Sequence, residues 1–148
     1  MRIIIDGDAC PSKTAIKSLA QKNHIPVHVY VDSSHVFTDD YFEIHIISQG
    51  KDAVDMAIAN SIKKSDILIT QDYGLASITM LKCSAVVNPV GYEYTLDNID
   101  QLLMQRHINQ KNRRAGKRGT YIKKRTSNDE TKLIDLLETL IKANHLGD

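Results

Sequence analysis

The sequence predicts an α/β protein: three layers, α/β/α, around a central, mostly parallel five-stranded sheet, with residues 1–148 forming one domain. Three observations carry this. Short runs rich in Ile and Val alternate with segments whose apolar residues recur at helical spacing, and that alternation implies parallel pairing with right-handed crossovers. A length of 148 residues is enough to bury a core without disulfides or metals. At 42% apolar and 25% charged residues, the composition is that of an ordinary globular protein.

The elements follow in order. Residues 2–6 (RIIID) read as a strand. Pro11 suits the first turn of a helix running to about Lys22, which His24-Ile25-Pro26 breaks. VHVYV (27–31) is a second strand, residues 32–40 a polar loop, and FEIHII (42–47) a third strand closed by Gln49-Gly50. Residues 52–64 have helical spacing, with Val54, Ala57, Ile58 and Ile62 on one face. DILIT (66–70) is a short apolar strand, Leu75 to Leu81 a short helix, and SAVVN (84–88) a fifth strand followed by Pro89 and Gly91. A helix is expected over 97–113 and a basic loop over 114–126. Ser127 and Glu130 form a capping box for a last helix over 128–144, with Gly147 after its end. The basic loop and C-terminal helix together occupy about 106–146.

Several classes are excluded. The chain has no Trp, and no apolar run approaches the roughly 20 residues of a membrane helix. The N-terminus reads as a strand rather than a signal peptide. Cys10 and Cys83 imply no disulfide framework, so a cytoplasmic protein is expected. Cys10 reads as a small residue packed beneath the first strand's end. There is no P-loop and no G-x-G-x-x-G. The six histidines are scattered without metal-ligand spacing, and His28 and His45 read as half-buried strand residues.

Carboxylates are what the pattern concentrates. In a parallel α/β sheet, ligands sit at the carboxyl ends of strands near a topological switch point. Asp6 and Asp8 stand at the end of the first strand and Asp72 just past the fourth. Asp52 and Asp55, at the start of the 52–64 helix, share a helix face at the same edge of the sheet. Crowded anions require neutralisation, and all-oxygen ligands suit Mg2+ or Mn2+. The candidate catalytic set is Asp6, Asp8, Asp52, Asp55 and Asp72, with Asp6, Asp8, Asp55 and Asp72 as metal ligands. The same residues also admit ordinary roles: Asp8 and Asp52 as helix caps, Asp55 as a dipole partner, Asp72 as a turn residue.

Charge is segregated. Residues 101–128 hold nine Lys/Arg and no Asp/Glu, leaving a net charge of −8 on the remainder. A basic strip beside an acidic body fits a nucleic acid backbone. Arg106, Arg113, Arg114, Lys117 and Arg118 are the expected phosphate contacts, with Thr70 and Gln71 beside Asp72. Gly116 and Gly119 allow close backbone approach, and Tyr121 offers a stacking face. A second copy of the chain is the alternative partner, its acidic body pairing with the strip in a homo-oligomer.

The motifs D-G-D-A-C-P (6–11), G-K-D-A-V-D (50–55), I-T-Q-D-Y-G-L-A (69–76) and N-P-V-G-Y-E-Y-T (88–95) together resemble the YaiI/YqxD family of bacterial proteins, placed in the PIN-like nuclease superfamily. The resemblance runs in order along nearly the whole chain and extends to Arg106, Arg113 and Gly116. It implies a PIN-like domain and a Mg2+- or Mn2+-dependent nuclease acting mostly on RNA. By this resemblance Asp6 matches the first-strand metal ligand, Asp72 the acidic residue after the fourth strand, and Asp55 the aspartate in the preceding helix. Asp8 and Asp52 belong to the narrower family's pattern, with Asp52 standing where a central Glu is usual. The chain departs from the family at Val90, where Arg is common. It departs again after Gly116, where G-K-R-G-T-Y replaces the usual Gly-Gly-Pro. Two other readings stay open: a phosphatase resembling the haloacid-dehalogenase type, with Asp6 as nucleophile and Asp8 as general acid, and a nucleic-acid-binding protein without hydrolysis.

Overall fold

The structure is a computed structural model that describes residues 1–7, 10–48, 50, 52–114 and 127–146, apart from the side chains of residues 106, 113, 114, 127, 145 and 146. Among these are six strands and five helices. In chain order they are β1 (Ile3–Asp6), α1 (Lys13–Lys22), β2 (Val27–Asp32), β3 (Glu43–Ile47), α2 (Ala53–Ser61), β4 (Ile67–Ile69), α3 (Tyr73–Thr79), β5 (Ala85–Asn88), β6 (Tyr92–Glu93), α4 (Leu96–Arg114) and α5 (Ser127–Leu146). The sheet order is β3-β2-β1-β4-β5-β6. All neighbours are parallel except β5 and β6. The chain winds from β1 outward to β3, then returns past β1 to β4, so the topological switch lies between β1 and β4.

Strand alternation sorts the core onto two faces. Ile3 and Ile5, Val27, Val29 and Val31, and Ile67 and Ile69 point to one side, where α1 and α5 cover them with Ile16, Leu19, Leu133, Leu137 and Ile141. Ile4, Tyr30, Leu68 and Val86 point to the other, under α2, α3 and α4, which contribute Ile58, Leu75 and Ile99. Helix–sheet–helix layering follows directly.

At the amino ends of the strands one ion pair ties β1 to β4. Arg2 donates from Nε and Nη2 to the two carboxylate oxygens of Asp66, at 3.0 and 2.6 Å, and Asp66 is 1% exposed. Asp66 also accepts from the Lys63 amide, and Arg2 Nη2 donates to the Ser61 carbonyl. The buried carboxylate is therefore fully engaged, as such a group must be.

The structure departs from the sequence reading in three places. A sixth strand, β6, is only two residues long and pairs antiparallel through a turn in which the Gly91 amide donates to the Asn88 carbonyl. Gly91 has φ +101°, and a side chain there would strike the backbone of α5 at Lys132 and Leu133. Pro11 lies outside α1, whose N-cap position is Ser12. The short helix α3 begins at Tyr73, two residues early, because Asp72 caps it. As the sequence reading has it, the β2–β3 crossover contains no helix. Its loop does a helix's work by packing Phe37, Tyr41 and Phe42 on the α1 face. Asp39 accepts from the Tyr41 and Phe42 amides, and Lys17 pairs with Asp39 and Asp40. Among the described residues no helix is long and apolar enough to cross a membrane.

Replacing Arg2 by Ala strands Asp66 as a buried, unpaired charge. Urea unfolding of Arg2→Ala is expected to show a loss of about 3 kcal/mol; a loss below about 1 kcal/mol rules out the clamp as a determinant of stability.

Candidate functional site

The first strand ends in Asp6, and Gly7 lets the chain leave it. A Cβ on Gly7 would sit 2.6 Å from Val29 Cγ1 and 2.9 Å from the Tyr30 carbonyl oxygen, so the backbone here lies against β2 more closely than a side chain permits. Lys13 then spans the turn, donating from Nζ to the carbonyls of Gly7 and Cys10 at 2.9 and 3.0 Å. Cys10 is buried in the α1-side core.

β4 lies next to β1 and delivers Thr70. Thr70 is 1% exposed, and its hydroxyl donates to Asp6 Oδ2 at 2.8 Å while accepting from the Asp72 amide at 3.0 Å. Thr70 was expected to face substrate; it lies beneath the site instead, where its hydroxyl joins and orients the two aspartates. Asp72 uses one carboxylate oxygen, Oδ1, to accept from the Leu75 amide at 3.1 Å, capping α3. Gln71 is exposed beside it.

A second row of polar groups supports Thr70. Tyr94, 3% exposed, donates its hydroxyl to the Thr70 carbonyl at 3.0 Å. Asn88 donates from Nδ2 to the Tyr94 hydroxyl at 2.8 Å and accepts from the Val90 amide at 2.9 Å. Burial drives the Tyr94 phenol well above its ordinary pKa, so it stays protonated. Sequence reasoning did not give Asn88 and Tyr94 this role, although both lie in the N-P-V-G-Y-E-Y-T motif. They sit 18 or more residues from Thr70, and only the β4–β5–β6 pairing brings them under it.

α2 brings Asp55 to the same place. Its carboxyl is pushed up to about 7, first by burial, then by the charges of Asp72 and Asp6, a hydrogen bond with Asp72 and the charge of Asp52. Burial and the neighbouring negative charges thus favour the protonated form of Asp55, which can donate to Asp72. Asp52 is exposed at the N-cap of α2 in the left-handed region, φ 61°, and makes no side-chain capping bond there. That conformation carries strain without a capping return.

The fold therefore gathers Asp6, Asp55 and Asp72, with Asp52 at their rim. Asp8, Lys117 and Arg118 lie outside the described residues, as do the side chains of Arg106, Arg113 and Arg114 and the whole of Gly116, Gly119 and Tyr121. Of the basic strip, Lys111 is described and exposed on α4. A second group of polar side chains was not anticipated: His28, Glu43 and His45 meet on the β2–β3 surface. These two histidines have no metal-ligand spacing in the sequence; parallel register brings them together by setting His28 beside Glu43 and Tyr30 beside His45.

Two consequences are measurable. A carboxyl protonated in the native state near pH 7 but ionised in the unfolded chain means the native state holds more protons between about pH 4 and 7. Stability then falls as pH rises through that window and stays low above it. Asp55→Asn is expected to stabilise the protein by about 1–2 kcal/mol at pH 8, after screening of a half-buried group is allowed for, and by little at pH 4. Thermal unfolding at both pH values measures this, and an equal effect at each refutes it. Thr70→Val removes one buried donor and one buried acceptor, and a loss of about 2 kcal/mol is expected in urea unfolding.

Comparison with known proteins agrees with the site's motifs. The family described as "Uncharacterized BCR, YaiI/YqxD family" matches residues 4–143. A UPF0178 protein of Clostridium perfringens is 41% identical over 142 residues, covering 96% of this chain and 95% of its own. One from Clostridium novyi is 42% identical over 141 residues, covering 95% of each chain. One from Clostridium tetani is 43% identical over 141 residues, covering 95% of this chain and 97% of its own. No solved structure gives a significant match. The four ordered motifs, the match over residues 4–143 and these relatives agree: the chain belongs to the YaiI/YqxD family.

Proposed function

We propose that this protein is a Mg2+- or Mn2+-dependent phosphodiesterase of the PIN-like nuclease superfamily, cleaving RNA. The observation that carries the reading is Asp55 at the carboxyl end of a parallel sheet, a carboxyl that burial and the charges of Asp72 and Asp6 raise to about 7. Such a group stays ionised at neutral pH when a cation shares its site. The donor set is all oxygen, which suits magnesium or manganese. Asp6, Asp55 and Asp72 are the proposed ligands, with Asp8 as a fourth, and Asp52 orients water at the rim. When bound, the metal supplies an acidified water and neutralises charge developing on phosphate oxygens.

The chain's own residues account for the rest. Thr70 holds Oδ2 of Asp6 and the backbone amide of Asp72, and the Leu75 amide holds Oδ1 of Asp72, so both carboxylates are set before substrate arrives. Tyr94 and Asn88 hold Thr70 in place. Gln71, exposed next to Asp72, is positioned to hydrogen-bond a phosphate oxygen. Arg106, Arg113, Arg114, Lys117 and Arg118 supply sequence-independent contacts to the RNA backbone. Only six residues, 7–12, connect Asp6 at the end of β1 to Lys13 at the start of α1, where Lys13 closes the turn through the Gly7 and Cys10 carbonyls. That turn lacks the length for the flap that a haloacid-dehalogenase-type phosphatase inserts there. A cytoplasmic setting fits the two free cysteines.

Calorimetric titration of Mn2+ into the metal-free protein is expected to show saturable binding that is lost in Asp6→Asn/Asp72→Asn. With single-stranded RNA, Asp6→Asn is expected to lower cleavage about 100-fold or more while salt-sensitive RNA binding persists. Absence of Mn2+ binding even with a short RNA present ends the metal-hydrolase reading. Binding without cleavage by the unaltered chain favours the non-catalytic alternative, and a covalent aspartyl-phosphate trapped with beryllofluoride favours the phosphatase.

A further inference from the structure

We propose that His28, Glu43 and His45 form a second metal site, separate from the aspartates, which takes one zinc-type divalent transition ion and leaves a coordination position to water. His28 Nδ1 lies 2.9 Å from His45 Nε2 and 2.7 Å from Glu43 Oε2, and His45 Nε2 lies 3.6 Å from the same carboxylate oxygen. Ligand atoms around tetrahedral zinc stand about 3.3 Å apart, given bonds of about 2.0–2.1 Å. A triangle with the observed sides has a centre about 1.8 Å from each corner, so an ion at zinc's bond length stands just above its plane. The three donors therefore already have nearly the span an ion requires, and they leave its far side open.

The chemistry of the donors selects the ion. Two imidazoles and one carboxylate form a known zinc donor set, whereas magnesium and calcium prefer oxygen alone. The rings are also held. His45 stacks on buried Tyr30 with centroids 4.4 Å apart and planes at 14°, and Tyr30 is fixed by a hydrogen bond to Ser61 of α2 at 2.8 Å. His28 and His45 are themselves nearly parallel, at 11°. The side chains are 15%, 63% and 33% exposed for His28, Glu43 and His45, so an ion has a path in from solvent. The nearby cation, Arg2, is already committed to Asp66 and the Ser61 carbonyl. A bound ion would join the edge strand β3 to β2.

The site lies apart from the aspartates. Tyr30 is in register with both Asp6 on β1 and His45 on β3, so the two sites are two strands apart, about 10 Å at the usual strand spacing.

The test is titration of Co2+, whose visible absorption reports coordination, into the untagged full-length protein, followed by competition with Zn2+. One equivalent is expected to give bands of four-coordinate intensity that Zn2+ abolishes. His45→Ala is expected to lose the bands, and Glu43→Gln to weaken binding about tenfold or more. Asp6→Asn/Asp72→Asn is expected to leave them unchanged. Absence of bands, their survival in His45→Ala, or their loss in the aspartate variant overturns the proposal. Far-UV circular dichroism checks each fold. If His45→Ala does not fold, Glu43→Gln decides, since its side chain is mostly in solvent, and full affinity in that variant overturns the proposal as well.

Discussion

Everything in this protein depends on the pairing of β1 with β4. These two strands are sequence-distant, yet they form the centre of the sheet, and the chain reverses its winding between them. The pair is held at both ends by side chains as well as by its ladder. At the amino end the Arg2–Asp66 ion pair closes it. At the carboxyl end the Thr70 hydroxyl donates to Asp6. Between them Ile3, Ile4 and Ile5 face Ile67, Leu68 and Ile69, all but fully buried. The crevice that opens where the winding reverses is a consequence of this pairing, and the carboxylates lie there because their strands end there.

That crevice is a costly piece of structure. Burial and neighbours of its own sign raise the carboxyl of Asp55 to about 7, and Asp52 holds a backbone conformation that non-glycine residues seldom adopt. The surroundings are built to withstand this. Thr70, Tyr94 and Asn88 form a buried chain of hydrogen bonds whose three side-chain polar groups are all engaged. A network of that kind adds rigidity because every member is satisfied. The cost is therefore local to the carboxylates, and the polar layer beneath them carries none of it.

Much of this was legible in the sequence, for identifiable reasons. The Ile- and Val-rich runs at 3–5, 67–69 and 85–87 read as buried parallel strands, which are apolar on both faces, and the alternating valines at 27, 29 and 31 read as a strand with one apolar face. Asp6 and Asp72 were legible because each follows such a run directly, and Asp55 because it opens a helix at the same edge. The rest required three-dimensional information. Tyr92-Glu93 is too short to register as a strand, and it becomes one because the Asn88–Gly91 turn folds it back onto β5. Residues 32–42 read as a loop and are one, but their packing role comes from Phe37, Tyr41 and Phe42 rather than from periodicity. Thr70 read as a substrate contact beside Asp72 because no local pattern reveals which hydroxyls are covered. His28 and His45 are seventeen residues apart, without the short spacing that marks ligands on a single element. Their meeting depends on the register between β2 and β3, which a sequence leaves open.

Register is also what joins the two candidate sites. Ile4 and Asp6 on β1, His28 and Tyr30 on β2, Glu43 and His45 on β3, and Leu68 on β4 all belong to the same strand phase, the one facing α2, α3 and α4. The opposite phase is entirely aliphatic on these inner strands: Ile3 and Ile5, Val27, Val29 and Val31, Ile67 and Ile69. A slip of one residue in any strand would turn its polar groups into the α1–α5 core and its aliphatic groups out. The aliphatic face, which has no chemistry of its own, thus fixes where the chemistry falls. It sets Asp6 beside Thr70 and His28 beside Glu43 by the same constraint, and it penalises any other arrangement through the buried charge that would result. Polar groups confined to one phase of the sheet are thereby positioned by a core they do not enter.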